Sequence, residues 1–328
     1  MIVRSSALPR RRLLAGLALA ASAPAWAQTE APAGRPITLI NPYAAGGPAD
    51  ALARALAQQL STRLKQTVIV DSKAGGAATI GTGFVARARP DGHTLLLGTS
   101  AGHVVTPLMQ RVPYDGVADF AFIGVVASQP NVLVVHADLG LDSVAALLAR
   151  ARKEPGALNY ASAGAGGATH LGAEAFAQKA QIRITHVPYS GAAPALKDLL
   201  GGQVQMGMLN LAATKPHIDQ GRLKALAYGG RQRSPLLPNT PTLAEAGMGG
   251  AELSTWYTLA APKGTPPEVV ERLHAALSQV QQDPAWLQFL AAQGAERLDL
   301  SPRETSAFVQ ADKAAMSRLL ASLNLLER

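Results

Sequence analysis

The 328-residue chain contains no cysteine, and only 5% of its residues are aromatic and 16% charged. Without cysteine there can be no disulfide, no thiolate metal site, no cysteine nucleophile and no lipid-bearing cysteine behind a signal sequence. Because 48% of the residues are hydrophobic, the composition is that of a globular rather than a disordered chain. The 31 glycines and 22 prolines indicate many turns, which favours an alternating α/β architecture.

The N-terminal 27 residues have the pattern of an export signal. They hold four arginines and no acid, followed by a short apolar run (residues 13–21) and the small-residue site Ala25-Trp26-Ala27. The run is far shorter than the roughly 20 residues of a membrane span. We therefore predict a signal peptide, residues 1–27, cleaved before Gln28. Arg10-Arg11-Arg12-Leu13-Leu14 fits both a twin-arginine signal and an ordinary secretory one, so the export route stays open.

Little positive charge remains after this segment is removed. Four of the 30 basic residues lie in it, so the remaining 26 face 22 acids and the balance falls from +8 to +4. No run of Lys and Arg interleaved with aromatic residues follows, which argues against a nucleic-acid partner.

Short apolar runs alternate with helical patterns along the rest of the chain. Leu52, Leu56, Leu60 and Leu64 predict a helix over 49–65 with one apolar stripe. Unbroken apolar strands are typical of a parallel sheet covered on both faces. The predicted strands are 37–40, 67–70, 94–97, 122–126, 132–135, 158–161, 184–187, 204–209, 223–227 and 257–260. The C-terminal part predicts helices over 266–282, 284–293 and 302–326 with a short strand near Arg297–Leu300, and we expect these helices to pack on the first domain.

Four turns rich in glycine or other small residues separate a predicted strand from a predicted helix. They are Tyr43–Asp50, Ala74–Ile80, Ser162–His170 and Pro188–Pro194. Each exposes backbone N–H groups at a helix N-terminus, where anions bind without Lys or Arg. Ligands of α/β proteins bind at this end of the strands. The four turns predict an anion site built from both halves of the chain.

Other chemistries fit less well. The glycines around Ala78 lack the lysine of a P-loop, and the turn after Ser162 lacks the last glycine of a dinucleotide fingerprint. Gly98-Thr99-Ser100-Ala101-Gly102 matches the nucleophile elbow of α/β-hydrolases, but neither His217 nor His274 is a convincing base. The alternative for Ser100 is a contact to ligand or a helix cap. The seven histidines form no metal motif; His170 and Glu174, four apart, fit a local pair better than two metal ligands. No metal and no cofactor is expected.

Ordered motifs along the mature chain carry a family resemblance. They include Pro42–Asp50, Asp71–Gly81, Pro90–Leu96, Leu158–Gly164, His186–Gly191, Leu199–Val204 and Leu259–Pro266. With them the chain resembles the Bug-type extracytoplasmic solute receptors of tripartite tricarboxylate transporters, from Pro36 to about Phe308.

The resemblance implies an α/β periplasmic-binding-protein fold of type II with two lobes, two crossovers between them and a ligand in the cleft. Lobe 1 would comprise residues 35–129 and 251–328, and lobe 2 residues 130–250. Family ligands are small carboxylates, namely dicarboxylates, acidic amino acids and aromatic acids, held by backbone N–H groups and water. The chain would be a non-catalytic, monomeric periplasmic receptor that delivers its ligand to the membrane subunits of a transporter. The alternatives are a secreted serine hydrolase using Ser100 and a receptor that signals to a sensor protein.

The resemblance also implies ligand-binding residues. They are Tyr43, Ala45, Gly47 and Asp50 in the first loop, Ala78 in the second, Ser100 in the third, and Ser162, Gly164, Thr169, Tyr189 and Asn210 in the second lobe. Each has an alternative. Asp50 also suits the first turn of a helix, Asn210 a helix cap, the two tyrosines packing and His170 a structural role. Ala49 stands where the family often has Thr or Asn, which leaves the ligand class open.

Overall fold

The computed structural model describes residues 34–327, so the predicted signal peptide lies outside the described part. Strands and helices alternate through most of it. In chain order they are β1 (Ile37–Asn41), α1 (Pro48–Leu64), β2 (Val68–Ser72), α2 (Thr79–Ala86), β3 (Thr94–Thr99), α3 (Thr106–Met109), β4 (Phe120–His136), α4 (Val144–Lys153), β5 (Asn159–Ser162), α5 (Ala168–Ala180), β6 (Thr185–Pro188), α6 (Ala192–Leu200), β7 (Met206–Asn210), α7 (Leu211–Asp219), β8 (Leu223–Tyr228), β9 (Ser254–Pro262), α8 (Pro267–Gln282), α9 (Pro284–Ala292) and α10 (Pro302–Ser322).

The strands form two sheets that share one long strand. The order is β2-β1-β3-β9-β4-β7-β5-β6, with β8 also paired to β4. Through residues 120–130, β4 pairs with β9; from Asn131 onward it pairs with β7 and β8 instead. The chain thus crosses from the first lobe to the second inside β4 and returns between β8 and β9.

The sheets are mixed, which corrects the expectation of a parallel sheet. β1 is parallel to β2 and β3, and β5 is parallel to β6 and β7. β4 and β9 run antiparallel to all their neighbours.

Two strand predictions need correction. The expected strands 122–126 and 132–135 are one strand, because Pro130 comes where β4 changes partners and its missing N–H breaks no continuing ladder. The expected strand at Arg297–Leu300 is absent; only its neighbour Glu296 forms a bridge, with Ser128.

The apolar stripe of α1 lies where its spacing predicts. Leu52, Leu56 and Leu60 are fully or almost fully buried between the first sheet and α8, and Leu64 packs partly against the same core. Burial of each leucine contributes about 1.5–3 kcal/mol to the free energy of folding.

The C-terminal helices pack on the first lobe. Leu273 and Leu277 of α8 join the core of α1, whereas Val309, Met316 and Leu320 of α10 cover the other face of the first sheet. At its C-terminal end α10 also reaches the second lobe, where Gln178 Nε2 donates to the Ser322 carbonyl at 2.7 Å. Within residues 34–327, no helix combines the length and apolar character that crossing a membrane requires.

Candidate functional site

The first predicted loop lies between β1 and α1. The Tyr43 N–H donates to Asn41 Oδ1, and Gly47 is the N-cap of α1, with Pro48 in the first turn. Asp50 is buried; one of its oxygens accepts the Gly46 N–H at 3.1 Å and Arg54 Nε at 2.9 Å. Burial alone would raise the pKa of Asp50, but the hydrogen bonds from Arg54 and Gly46 outweigh it and hold that pKa below its usual range. Asp50 therefore stabilises the loop by accepting the Gly46 N–H.

The loop between β5 and α5 is held by its own side chains. Ser162 Oγ accepts the Gly164 N–H and lies 2.7 Å from His186 Nε2, while Thr169 Oγ1 accepts the Ala163 N–H at 3.0 Å. Gly164 and Gly166 have φ of 141° and 74°, a backbone region that favours glycine. These hydrogen bonds and glycines thus define the conformation of the loop.

His170 supports the same loop. Its Nδ1 accepts the Gly166 N–H at 3.0 Å, and its ring stacks on His186 with centroids 4.1 Å apart. Burial, with His186 adding to it, lowers the pKa of His170 to about 3; burial lowers that of His186 to about 4. Glu174 Oε1 is 3.9 Å from His170 Nε2 and instead accepts the Tyr160 hydroxyl. The local pair expected of His170 and Glu174 is therefore not hydrogen-bonded.

A small cavity lies between the two lobes. We call it the central cavity. It leaves about 30 Å³ for the centres of water-sized molecules. Its lining is Tyr43, Ala44, Gly47, Pro48, Ala49, Thr99, Ser100, Ala101, Ala163, Gly167, Ala168, Thr169, Ala192, Asn210, Thr255 and Tyr257. Both halves of the chain contribute; three of the four predicted turns line this cavity, whereas Ala74–Ile80 does not.

Helix N-termini, not charged side chains, dominate the central cavity. No Asp, Glu, Lys, Arg or His is among its lining residues. The first turns of α1 and α5, the first residue of α6 and the N-cap of α7 all reach it. The first N–H groups of a helix lack partners within the helix and carry partial positive charge. The cavity is therefore suited to a small anion.

Most polar side chains around the central cavity have protein partners. Ser100 Oγ donates to Asp312 Oδ2 at 2.8 Å, and the Tyr257 hydroxyl donates to Gln129 Oε1. Asn210 stands at the N-cap of α7 but forms no side-chain cap; its Nδ2 donates to Asn131 Oδ1 at 3.1 Å, so the cap alternative is wrong. Thr255 Oγ1 is buried and has no partner among the described residues.

A second cavity, the side cavity, adjoins the central one at Tyr43 and Ala163 and measures about 230 Å³. Ala78, Gly164 and Tyr189 line it. Ala77 and Ala78 have φ of 53° and 74°, which costs a non-glycine residue about 1–3 kcal/mol each and is typical of functional loops.

The two lobes touch through these loops. The Ala44 N–H of the first lobe donates to the Ser190 carbonyl of the second at 3.1 Å. A Cβ on Gly191 would lie 3.2 Å from the Ala44 nitrogen, so glycine permits the close approach. The structure has its lobes together over the central cavity.

The predicted site residues divide into three groups. Tyr43, Gly47, Ser100, Thr169 and Asn210 line the central cavity; Ala78, Gly164 and Tyr189 line the side cavity, which Tyr43 shares. Ala45 is exposed, and Asp50 and Ser162 lie behind the loops, so these three line neither cavity.

Four residues at the site were not predicted from the sequence, namely Thr99, Thr255, Tyr257 and Asp312. Thr99 and Thr255 lie just outside the predicted strands, and Tyr257 belongs to an apolar run that looks like buried core. Asp312 lies in α10, where an acid in an amphipathic helix resembles solvated surface.

Among residues 34–327, no histidine is hydrogen-bonded to the Ser100 hydroxyl. The Ser100 hydroxyl donates to Asp312, and His103 Nδ1 lies 2.6 Å from the Gly116 carbonyl oxygen. His274 lies on α8, where its Nδ1 is 2.9 Å from the Ile123 carbonyl. Within residues 34–327, no three His, Asp or Glu side chains are grouped to hold a metal ion.

Comparison with known proteins gives a consistent result. The model of the tripartite tricarboxylate transporter family receptor (TctC) matches residues 52–325. Protein BugT of Bordetella pertussis is 37% identical over 277 residues, covering 84% of this chain and 85% of BugT.

Two solved structures from Rhodopseudomonas palustris are also similar. Rpa4515 with adipate is 35% identical, with a TM-score of 0.86 over 89% of this chain and 98% of that one. MatC (Rpa3494) with bound malate is 27% identical, with a TM-score of 0.83 over 88% and 99%.

These receptors are non-enzymatic binding proteins with two lobes, so the serine hydrolase alternative for Ser100 is set aside. The chain belongs to the tripartite tricarboxylate transporter receptor family, which includes the Bug proteins, and is a solute-binding receptor.

Proposed function

We propose that the chain is a periplasmic receptor that binds a small carboxylate in the central cavity and delivers it to the membrane subunits of a tripartite transporter. The main support for this proposal is that four helix N-termini, from both lobes, meet at the central cavity, whose described lining residues include no charged side chain. Such a site attracts an anion and leaves its recognition to N–H groups.

The proposed contacts come from both lobes. Ala49 of α1, Ala168 and Thr169 of α5 and Ala192 of α6 would offer backbone N–H groups, and Thr255 would offer its hydroxyl. Hydrogen bonds to a charged group contribute about 1.5–3 kcal/mol each, so four or five support micromolar affinity after the cost of association. Tyr43, Gly47, Ser100 and Asn210 would shape the cavity, and Ala78, Gly164 and Tyr189 its side extension.

The size of the cavity favours compact acids. About 30 Å³ for water centres is room for about two to three waters, given 10–15 Å³ for each, which is less than a dicarboxylic acid occupies. Any such ligand would therefore hold the lobes slightly further apart, and an aliphatic dicarboxylate or an acidic amino acid would require less separation than an aromatic acid. Relatives with adipate and with malate support an aliphatic acid.

Ligand capture would close the cleft. We take lobe 1 as residues 35–129 and 251–328 and lobe 2 as 130–250, a division supported by the partner change of β4 at Pro130 and Asn131. The bond from the Ala44 N–H to Ser190 would form only on closure, and the closed shape would be what the membrane partner recognises. A receptor that signals to a sensor protein would use the same closure, and capture of the partner distinguishes the two. We take the receptor to act as a monomer.

We also propose that the chain is exported to the periplasm. Residues 1–27 would be removed before Gln28, by the twin-arginine or the general secretory route. The N-terminal sequence of the protein recovered from the periplasm checks the cleavage site.

A thermal-shift screen of residues 28–328 tests the function. Aliphatic dicarboxylates, acidic amino acids, tricarboxylates and aromatic acids are supplied at millimolar concentration, and a ligand that binds the folded state raises the melting temperature. We expect a shift with a compact aliphatic acid. If no acid gives a shift after the protein has been refolded to remove any retained ligand, the proposal is wrong.

A matched pair of variants tests the backbone donors. Ala168 is the first residue of α5, a position that accepts proline, and Gly167 before it is extended, as a residue preceding proline should be. Ala168→Pro removes one N–H from the cavity wall, whereas Ala168→Gly keeps it. We expect the proline variant to bind the acid about 10- to 100-fold more weakly and the glycine variant to stay close to the parent. Equal affinities would argue against backbone recognition by α5.

A further inference from the structure

A buried contact joins α10 to the ligand-facing loop after β3. Ser100 lines the central cavity, and its hydroxyl donates to Asp312 Oδ2 at 2.8 Å across 212 residues of sequence. Asp312 itself is not among the cavity-lining residues. Its hydrogen bonding therefore affects a ligand through Ser100 rather than by direct contact.

The contact fixes which way the Ser100 hydroxyl points. A serine hydroxyl has one proton and two lone pairs. Because the proton is given to the Asp312 carboxylate, only lone pairs remain for the cavity. A bare carboxylate placed against Ser100 would meet lone pairs, whereas a ligand hydroxyl or ammonium would find an acceptor.

The opposite wall of the cavity has the other polarity. Thr169 Oγ1 accepts the Ala163 N–H, so its own proton stays available to a ligand, and the first turns of α5 and α6 present N–H groups. A carboxylate fits this wall in the second lobe, and the group next to Ser100 in the first lobe must donate.

The contact with Ser100 offsets part of the cost of burying Asp312. Burial raises the pKa of Asp312 above its usual range, and the hydrogen bond from Ser100 acts in the opposite direction. The serine hydroxyl thus stabilises the carboxylate, and the carboxylate in turn orients the hydroxyl.

We propose that Asp312 is a positioning residue that, through Ser100, selects small carboxylic acids carrying a hydroxyl or ammonium group over unsubstituted dicarboxylates. This inference rests on the proposed function of the central cavity and adds the chemical class of the ligand.

The test compares ligands of equal chain length by calorimetry at neutral pH. Succinate, malate and aspartate form one set, and glutarate, 2-hydroxyglutarate and glutamate the other. The full mature chain is expected to bind a hydroxy or amino acid of at least one set tenfold or more tightly than its unsubstituted analogue. If it binds the unsubstituted acids as well or better, or binds none of the six while another acid shifts its melting temperature, the selectivity is wrong and the proposed function stands. No binding to any acid is instead the failure of the proposed function, and the inference falls with it.

Three variants separate selectivity from stability. In Asp312→Asn the new amide can donate to Ser100 Oγ and free the serine proton for the cavity, so the preference should shift at least tenfold toward the unsubstituted acid. Ser100→Ala should reduce the preference for substituted acids in the parent and the preference for unsubstituted acids in the Asp312→Asn background. If the Asp312→Asn protein does not fold, Ser100→Ala alone still measures the contribution of the serine to the preference. Asp299→Asn is the control, because the Asp299 carboxylate binds Arg297 outside the cavity. This variant should leave the ratio of affinities for substituted and unsubstituted acids unchanged. A folded Asp312→Asn protein with the parent's ratio would overturn the proposal, since a purely structural contact alters affinity or stability without altering preference.

Discussion

At the scale of single residues, the buried histidines His103 and His170 and the half-buried His186 connect folding to pH. Burial lowers the pKa of His103 to about 4, with the Gly116 carbonyl acting against it. The pKa values of His170 and His186 fall to about 3 and about 4. An unfolded histidine has a pKa near 6.5, so below that pH the unfolded chain binds more protons than the folded one. Stability contributed by these neutral histidines is complete above about pH 6.5 and is lost as the pH falls toward 4.

Acidification from pH 7 to pH 5 should therefore destabilise the protein well above the range in which carboxylates titrate. His103 and His170, which are buried and stay neutral, each account for about 2 kcal/mol at pH 5, because 1.5 pH units below the unfolded pKa cost about 1.36 kcal/mol per unit. The half-buried His186 contributes less. Urea unfolding at several pH values measures this loss. His103→Gln should flatten the dependence of the unfolding free energy on pH, whatever it does to stability at pH 7. Equal slopes for parent and variant would refute the assignment to His103.

At the scale of elements, the N-cap of each helix determines whether its first N–H groups are available to a ligand. The helices at the cleft begin with glycine or asparagine N-caps that form no side-chain cap, so their N–H groups remain for a ligand. Helix α10 begins differently: Ser301 and Glu304 form a reciprocal capping box, which fixes this end of the helix that carries Asp312.

Ser301→Ala should destabilise the protein by about 1 kcal/mol, because the Glu304 N–H loses its acceptor. Ser306→Ala, in the same helix but outside the cap, is the matched control and should cause little change, since alanine favours the helix interior. Denaturant midpoints measure both. A loss as large in the control would mean that the cap contributes nothing specific.

The sequence was most informative at this scale. Helix α1 is predicted over 49–65 and runs over 48–64, because a leucine every four residues leaves one buried stripe. The turns after β1 and β5 could be predicted because some of their glycines have positive φ angles, which other residues rarely adopt. The link from Ser100 to Asp312 could not be predicted, since 212 residues separate the pair and only the packing of α10 brings them together.

At the scale of the whole molecule, two lobes meet over the central cavity. β4 carries the chain across at Pro130 and Asn131, and Asn131 Nδ2 donates to the Leu253 carbonyl beside the returning crossover. The sequence predicted the crossovers through a family resemblance rather than through strand patterns, which split β4 in two. Away from this hinge, the loops of Ala44 and Ser190 hold the lobes together.

Gly191→Val should impede closure. Even a single Cβ would lie 3.2 Å from the Ala44 nitrogen and 3.4 Å from its Cβ, so the branched side chain would push the loops apart. We expect the ligand affinity to fall about tenfold or more, as overpacking by 1–3 kcal/mol implies, with little change in the melting temperature of the free protein. Small-angle scattering should show that ligand no longer compacts the variant as it does the parent.

Gly249→Val is the control for this experiment. A Cβ there makes only ordinary contacts, with 3.6 Å to its nearest neighbours, so affinity and compaction should match those of the parent. If Gly191→Val also behaves like the parent, contact between these loops is not part of ligand capture.

The most direct test of the central claim is calorimetric titration of the refolded mature chain with an acid that raises its melting temperature, beside the primary amide of the same acid. If helix N-termini hold a carboxylate in the central cavity, the acid should bind with micromolar affinity and the amide about 100-fold or more weakly, because the neutral group forfeits charge-assisted hydrogen bonds and the helix dipoles. Equal affinity for acid and amide would contradict the account.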